Sequence, residues 1–189
     1  MGLYNPPMER AIGLLEFISI AKGIESADAA IKASRVDLLI ARPICPGKYI
    51  FVIAGEVAAV RNSIDAGKKV GEDTVVDELV IPNVHPQIIP AISAIGFVSG
   101  LKALGIVETF TCATAIEGAD LAAKAAEIEL IELRLAMGIG GKSYFTLTGE
   151  VAAVKSSIDA GSRPAIEKGA LVRRVVIPSP AETMSRFIL

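Results

Sequence analysis

"GEVAAVRNSIDAG" at residues 55–67 is written again at residues 149–161 as "GEVAAVKSSIDAG". Eleven of the 13 positions agree, and the two that change, Arg61 to Lys155 and Asn62 to Ser156, stay polar. The match spreads upstream, where "AIGLLEFISIAKGIESADAAIKASRVDLL" from Ala11 lies over "ALGIVETFTCATAIEGADLAAKAAEIELI" from Ala103, 92 residues on. Between Gly55 and Gly149 the spacing is 94, and between "ELVIP" at 78–82 and "RVVIP" at 174–178 it is 96. The first two-residue gain falls opposite "ARPICPGKYIF", residues 41–51. A period of about 90 residues is too long for a solenoid and marks a duplicated domain. The chain divides into an extension at 1–10, a first domain at 11–95, a linker at 96–102 and a second domain at 103–189.

Each copy reads the same way. Ala11–Ser19 is an apolar run of strand length. Lys22–Ser34 carries Ile24, Ala27 and Ile31 at helical spacing, with Ser19 or Ser26 available as caps. Val36–Arg42 and Lys48–Gly55 are β-branched apolar runs separated by Pro43–Gly47, which reads as two strands and a turn. Glu56–Ala66 is helical, with Val57, Val60 and Ile64 on one face and Gly67 as the stop. Val75–Ile81 is a strand ended by Pro82, and Gln87–Ala94 forms a short final helix in the first copy. The order β-α-β-β-α-β places the fold in the α/β class in its α+β sense, a two-layer unit with ferredoxin-like character. That order says nothing about activity.

Composition narrows the function. The net charge is −2 and no run of Lys or Arg exceeds two residues, so no nucleic-acid partner is expected. Apolar residues make up 52 % although Trp is absent, an excess that points to subunit contacts as well as a core. Arg42 and Lys48 interrupt the best candidate for a membrane span, so no membrane association is expected. The start "MGLYNPPMER" lacks the pattern of a secretion signal. Two cysteines make no disulfide framework, which fits a reducing cytoplasm.

Cys45 stands between Pro43 and Pro46, with Gly47 next. A lone cysteine is most often a small apolar filler. Here the prolines stiffen the backbone and the glycine permits a tight turn, so the thiol is displayed rather than buried. Cys112 falls at the start of the first helix of the second copy, opposite Ile20, and reads as structural. "MGIGGKS" at 137–143 has the wrong glycine spacing for a phosphate-binding loop, and Lys142 opens a strand instead of a helix. His85, the single histidine, sits among prolines that suggest a turn in "IPNVHPQIIP" and reads as a solvated or capping residue. Glu16 with Glu108, and Asp65 with Asp159, recur in both copies and read as structural hydrogen-bonding groups. With no nucleophile–base constellation the chain does not read as an enzyme.

"AIGLLEF", "ADAAIKAS" and "GEVAAV", repeated as "ALGIVET", "ADLAAKAA" and "GEVAAV", resemble the domain of bacterial microcompartment shell proteins over essentially the whole chain after residue 10. Two copies in direct order are similar to the tandem-domain members that form homotrimers shaped like hexamers. "SIAKGIESADAAIKASRVDLLIARPICPGKYIFVIAGE" and "MGIGGKSYF" look like the type found in propanediol-utilisation compartments. The resemblance implies a tile of a microcompartment shell in the cytoplasm, assembling with other shell proteins, with a possible redox enzyme partner at the shell. It also implies a [4Fe–4S] cluster, one per trimer, at the central pore.

One thiolate cannot hold such a cluster, which takes four ligands as a rule. A threefold axis would bring three copies of Cys45 together and leave one iron to a non-protein donor. In the resembled arrangement the pore is lined by Ile44, Pro46 and Gly47 from the first copy and by Met137, Gly138, Ile139, Gly140 and Gly141 from the second. Lys32 and Lys124 match the family's lysine at the tile edge. The arginine that often follows the family's final "IP" is replaced, in "IPNVHP" and "IPSPAE". Two alternatives stay open: a tile with an open pore for small metabolites and no cluster, where size and dipoles select the solute, and a ring-forming binding protein unrelated to any shell.

Overall fold

The computed structural model describes residues 11–93 and 98–188. The 1–10 extension and residues 96–97 of the linker lie outside them. The first copy runs β1 (Ala11–Phe17), α1 (Ile20–Ala33), β2 (Asp37–Ile44), β3 (Lys48–Gly55), α2 (Val57–Gly71) and β4 (Val75–Ile81). A five-residue helix α3 (Ile88–Ile92) follows. The second copy repeats the series as β5 (Ala103–Thr109), α4 (Cys112–Ala125), β6 (Glu129–Leu135), β7 (Ser143–Gly149), α5 (Val151–Glu167) and β8 (Leu171–Ile177), then a 3-10 turn Glu182–Met184 and α6 (Ser185–Ile188). The sheets have the orders β2-β3-β1-β4 and β6-β7-β5-β8, the ferredoxin-like arrangement. Pairing is antiparallel in matching register, Ala11 with Gly55 and Ala103 with Gly149, and each first strand is bulged near its end.

The described residues form two compact units, 11–43 with 47–84, and 44–46 with the described residues from 85 onward. The segment from His85 through α3, read from sequence as the end of the first domain, therefore groups with the second copy. Its side chains give the reason. The Gln87 side-chain amide donates to the Ile128 carbonyl at 2.9 Å, and its oxygen accepts from the Leu130 N–H at 2.6 Å. The His85 N–H donates to Asp120 at 2.7 Å.

In the first unit, Leu15, Phe17, Phe51 and Ile53 meet Ala27, Ala30, Val60 and Ile64 in one core, with Phe17 stacked on Phe51 at 5.8 Å. Of the two serines that the sequence offered as caps of α1, Ser19 takes the role, accepting from the Lys22 N–H at 3.3 Å. Ser26 is fully buried within the helix, and its hydroxyl has no partner. Gly67 does not stop α2, which continues to Gly71. It is a contact point, since a Cβ there would come within 3.0 Å of Phe51 and 3.2 Å of the Ser26 carbonyl. In the second unit Ser26 is answered by Gly118, whose added Cβ would lie 2.3 Å from the Gly161 carbonyl. Here α4 and α5 meet backbone to backbone.

That contact makes an unequal pair of outcomes. Gly118→Ala will cost at least the about 1–3 kcal/mol of an overpacked core. Ser26→Ala, which removes an unpaired buried hydroxyl, will be neutral or stabilising. Urea denaturation of the two variants checks both.

Candidate functional site: two loops beside the central strands

β2 runs through Pro43 to Ile44, two residues beyond the sequence reading, because an edge strand tolerates proline. Cys45, Pro46 and Gly47 then make the whole turn into β3. The Cys45–Pro46 peptide is cis, and Gly47 has φ of 77°, a conformation suited to glycine. Ile44 is buried, Cys45 half-buried, and Pro46 and Gly47 exposed. The thiol thus stands on a short turn with partial access to solvent.

The matching loop of the second copy spans 136–142 between β6 and β7 and is longer, by the two inserted residues and by one residue at each flanking strand end. Gly138, Gly140 and Gly141 have φ of 77°, 66° and 85°, and buried Ala136 has 50°. Met137, Gly138 and Gly140 are exposed, while Ile139 and Gly141 are half-buried. Within the second unit, which takes in residues 44–46, the Cys45 N–H donates to the Ala136 carbonyl at 3.1 Å. A Cβ on Gly141 would lie 2.9 Å from the Cys45 carbonyl oxygen and 3.0 Å from Pro46 Cδ. The glycine loop is therefore packed against the backbone that carries the thiol. Of the lining proposed from sequence, Pro46 and Gly141 are brought together at this point.

Sequence reasoning missed the lysine that leaves each loop. Lys48 follows Gly47 and pairs with Glu16 on β1 at 2.8 Å, and Lys142 follows Gly141 and pairs with Glu108 on β5. The signal was present, since both lysines come directly after a loop glycine in corresponding places. Glu16 and Glu108 are the structural acceptors expected of them. In the second unit Tyr144 donates to Glu132 at 2.6 Å, and Arg134 lies 5.7 Å from the tyrosine ring. Burial first, then the Glu132 carboxylate, pushes the Tyr144 hydroxyl up to about 12.

The remaining candidates are placed as follows. Cys112 is fully buried at the start of α4, where the Ser143 hydroxyl donates to its sulfur at 3.5 Å. Lys32 pairs with Asp28 at 2.5 Å, both exposed, and Lys124 pairs with Asp120 at 2.7 Å. Asp159 accepts from Arg174 at 2.9 Å. Among the described residues no three His, Cys, Asp or Glu side chains cluster in metal-holding fashion. Each chain thus offers Cys45 as a single thiol ligand, which fits an iron–sulfur cluster only where several chains contribute. No helix among the described residues is long and apolar enough to cross a membrane.

His85 does not cap α3, whose N-cap position is Gln87; its Nδ1 accepts from the Gln87 N–H at 3.4 Å within the turn before the helix. Burial, aided by Lys124 and opposed by Asp120, holds its pKa below the usual 6.5.

A duplicated ferredoxin-like unit, with unequal loops at matching places, defines a tandem-domain tile. The chain belongs to the bacterial microcompartment shell family: the BMC domain matches residues 11–84 and again 103–180. It is a structural shell protein of the tandem type. It is 45 % identical to the bacterial microcompartment shell protein PduT of Citrobacter freundii, over 95 % of this chain and 97 % of that one. A microcompartment protein from Desulfitobacterium hafniense DCB, known from its crystal structure, is 54 % identical with a TM-score of 0.89, covering 94 % of this chain and 99 % of that one. The fused permuted hexameric shell protein MSM0275 from the RMM microcompartment, at 23 % identity and a TM-score of 0.61 over 84 % of each chain, shares the fold.

Two measurements follow from this geometry. Gly141→Ala will displace the Cys45 turn and change the rate of thiol labelling at Cys45 while the far-UV circular dichroism stays as in the parent. For His85, protonation is easier in the unfolded chain than in the folded one, so its contribution is complete above pH 6.5 and is lost as pH falls below that value. His85→Asn keeps an acceptor without the titration. Its denaturation midpoint will therefore fall less steeply than the parent's between pH 7 and 5.5.

Proposed function

We propose that the chain assembles as a pseudohexameric homotrimer within a shell built with other microcompartment proteins. In this reading Cys45 from each of three chains holds one [4Fe–4S] cluster at the central pore. The observation that carries it is the inequality of the two loops. One presents a half-buried thiol on a three-residue turn, and the other presents glycines and no ligand. Alternating loops then supply three thiols, a number that suits a cluster on a threefold axis, where six would crowd it.

When bound, such a cluster supplies one-electron transfer, and the function is conduction of electrons across the shell to a redox enzyme at its inner or outer face. The chain's own residues do three things in this reading. Cys45 ligates, Gly141 leaves room for the turn that carries it, and the Glu16–Lys48 pair ties the turn's exit to the central strand. No residue is assigned a catalytic role. Lys32 and Lys124, on the first helix of each copy, are the proposed contacts between tiles.

Iron and acid-labile sulfide, measured on protein prepared without oxygen, test the reading. The expected result is about four of each per three chains. Cys45→Ser will lose the iron and the brown colour and keep the oligomeric mass. A colourless parent protein, still oligomeric after anaerobic treatment with iron and sulfide, would leave an open pore for small metabolites as the reading of this site.

A further inference from the structure

The sheet of the second unit packs its helices on one face and carries a cavity on the other. Phe145 and Leu147 of β7 are fully buried, and Tyr144 and Thr146 alternate with them toward the opposite side. There a cavity of about 360 Å³ is bordered by Ile106 and Glu108 of β5, Glu132 of β6, Tyr144 and Thr146 of β7, and Ile188 of α6. The first unit has a different lining at the matching places. Leu14 stands for Ile106, Ile40 for Glu132, Ile50 for Tyr144 and Val52 for Thr146. Leu14, Ile50 and Val52 are fully buried. Three apolar side chains of one copy are thus hydrogen-bonding side chains in the other, and all three border the same cavity.

Two of the three satisfy each other. Glu132 accepts from Arg134 on Oε1 at 2.8 Å and from the Tyr144 hydroxyl on Oε2 at 2.6 Å. Thr146 is only 8 % exposed, and its hydroxyl makes no hydrogen bond among the described residues. A hydroxyl so buried and unpaired is destabilising, and valine, the residue of the first copy, would remove the penalty. Thr146 lies opposite Ile106, and Tyr144 opposite Glu108. Glu108 receives Lys142 on Oε1, and its second oxygen has no partner among the described residues. The charges at the cavity cancel in pairs, Glu108 with Lys142 and Glu132 with Arg134.

We infer that this cavity binds a small neutral molecule with an apolar body and a hydroxyl or amide head. The head pairs with the Thr146 hydroxyl and the second oxygen of Glu108, and the body packs on Ile106 and Ile188. The volume falls within the roughly 300–1,000 Å³ of small-molecule sites, which share this make-up of apolar walls and a few polar groups that fix orientation. A charged head finds no counter-charge left over and loses its own hydration on entry. The site does not depend on what fills the pore.

Titration of the full-length assembled protein, isotope-labelled in its isoleucine methyl groups, tests this. The probes are benzyl alcohol, toluene and benzylammonium, which share a ring and differ in the head, at concentrations that leave the circular dichroism unchanged. Benzyl alcohol will move the Ile106 and Ile188 signals saturably and bind about five-fold more tightly than the other two, the worth of one net hydrogen bond. Thr146→Ser keeps a hydroxyl and will keep that preference. Thr146→Val will erase it and raise the urea midpoint of the unliganded protein. The inference is overturned if no probe moves those two methyl signals saturably, or if toluene binds as tightly as the alcohol. It is overturned equally if benzylammonium binds most tightly, or if Thr146→Val holds the alcohol as well as the parent does. Should that variant misfold, the comparison of the three probes on the parent decides.

Discussion

The first unit hangs on β1. All seven of its residues are buried, and β3 and β4 pair with its two edges. Six of the seven are apolar or glycine, and the seventh is Glu16, which is 2 % exposed. A carboxylate so placed is tolerated only with a partner, and removing one member of a buried pair costs about 3–5 kcal/mol, less where one member keeps solvent. Lys48 supplies that partner from the residue that leaves the Cys45 turn. The need of the core to neutralise Glu16 therefore fixes where β3 begins and, with it, where the turn must close. In the second unit Glu108 and Lys142 repeat the device with more exposure on the acid, so the longer loop is held by a weaker tie.

Much of this was legible because the chain is its own alignment. The repeat displays which apolar runs recur and in what order, and a strand buried on both faces reads as a continuous run such as "AIGLLEF". Helix ends were less legible. Gly67 looks like a terminator because glycine so often follows a helix, yet its role is set by Phe51 and the Ser26 carbonyl, which approach from other elements. Ser19 and Ser26 were equal candidates for a cap by type alone. Burial of Ser26 against the neighbouring helix, a tertiary fact, decides between them.

The site divides in the same way. That Cys45 stands on a turn follows from Pro46 and Gly47, which act locally. That the turn is braced from outside, by the Ala136 carbonyl and the missing side chain of Gly141, depends on residues more than 90 positions away. The glycines of 138–141 were read as pore lining, and the positive φ of Gly138, Gly140 and Gly141 shows a conformational demand as well. The place of the His85 segment was hidden for a different reason. Its attachment joins hydrogen bonds of Gln87 and His85 to two buried side chains, Ile88 and Ala91, and so short an apolar signal does not say which copy it packs on.

Duplication also lets each copy serve as the control for the other. Where both need the same physics the residues persist, as in the Glu–Lys tie and the Asp–Lys pair on each first helix. Where their surroundings differ the residues diverge. Ile40 and Ile50 of the first copy stand where the second has Glu132 and Tyr144, joined by a hydrogen bond at 2.6 Å. Ile50 is fully buried, a setting that an apolar side chain fills without leaving a polar group unpaired. Tyr144 is only half-buried, so it can carry a hydroxyl provided a neighbour accepts from it. The same reasoning applies to the two loops. A proline-stiffened turn of three residues suits a side chain that must be held in one place, whereas a longer loop rich in glycine suits a backbone that must yield to its neighbour.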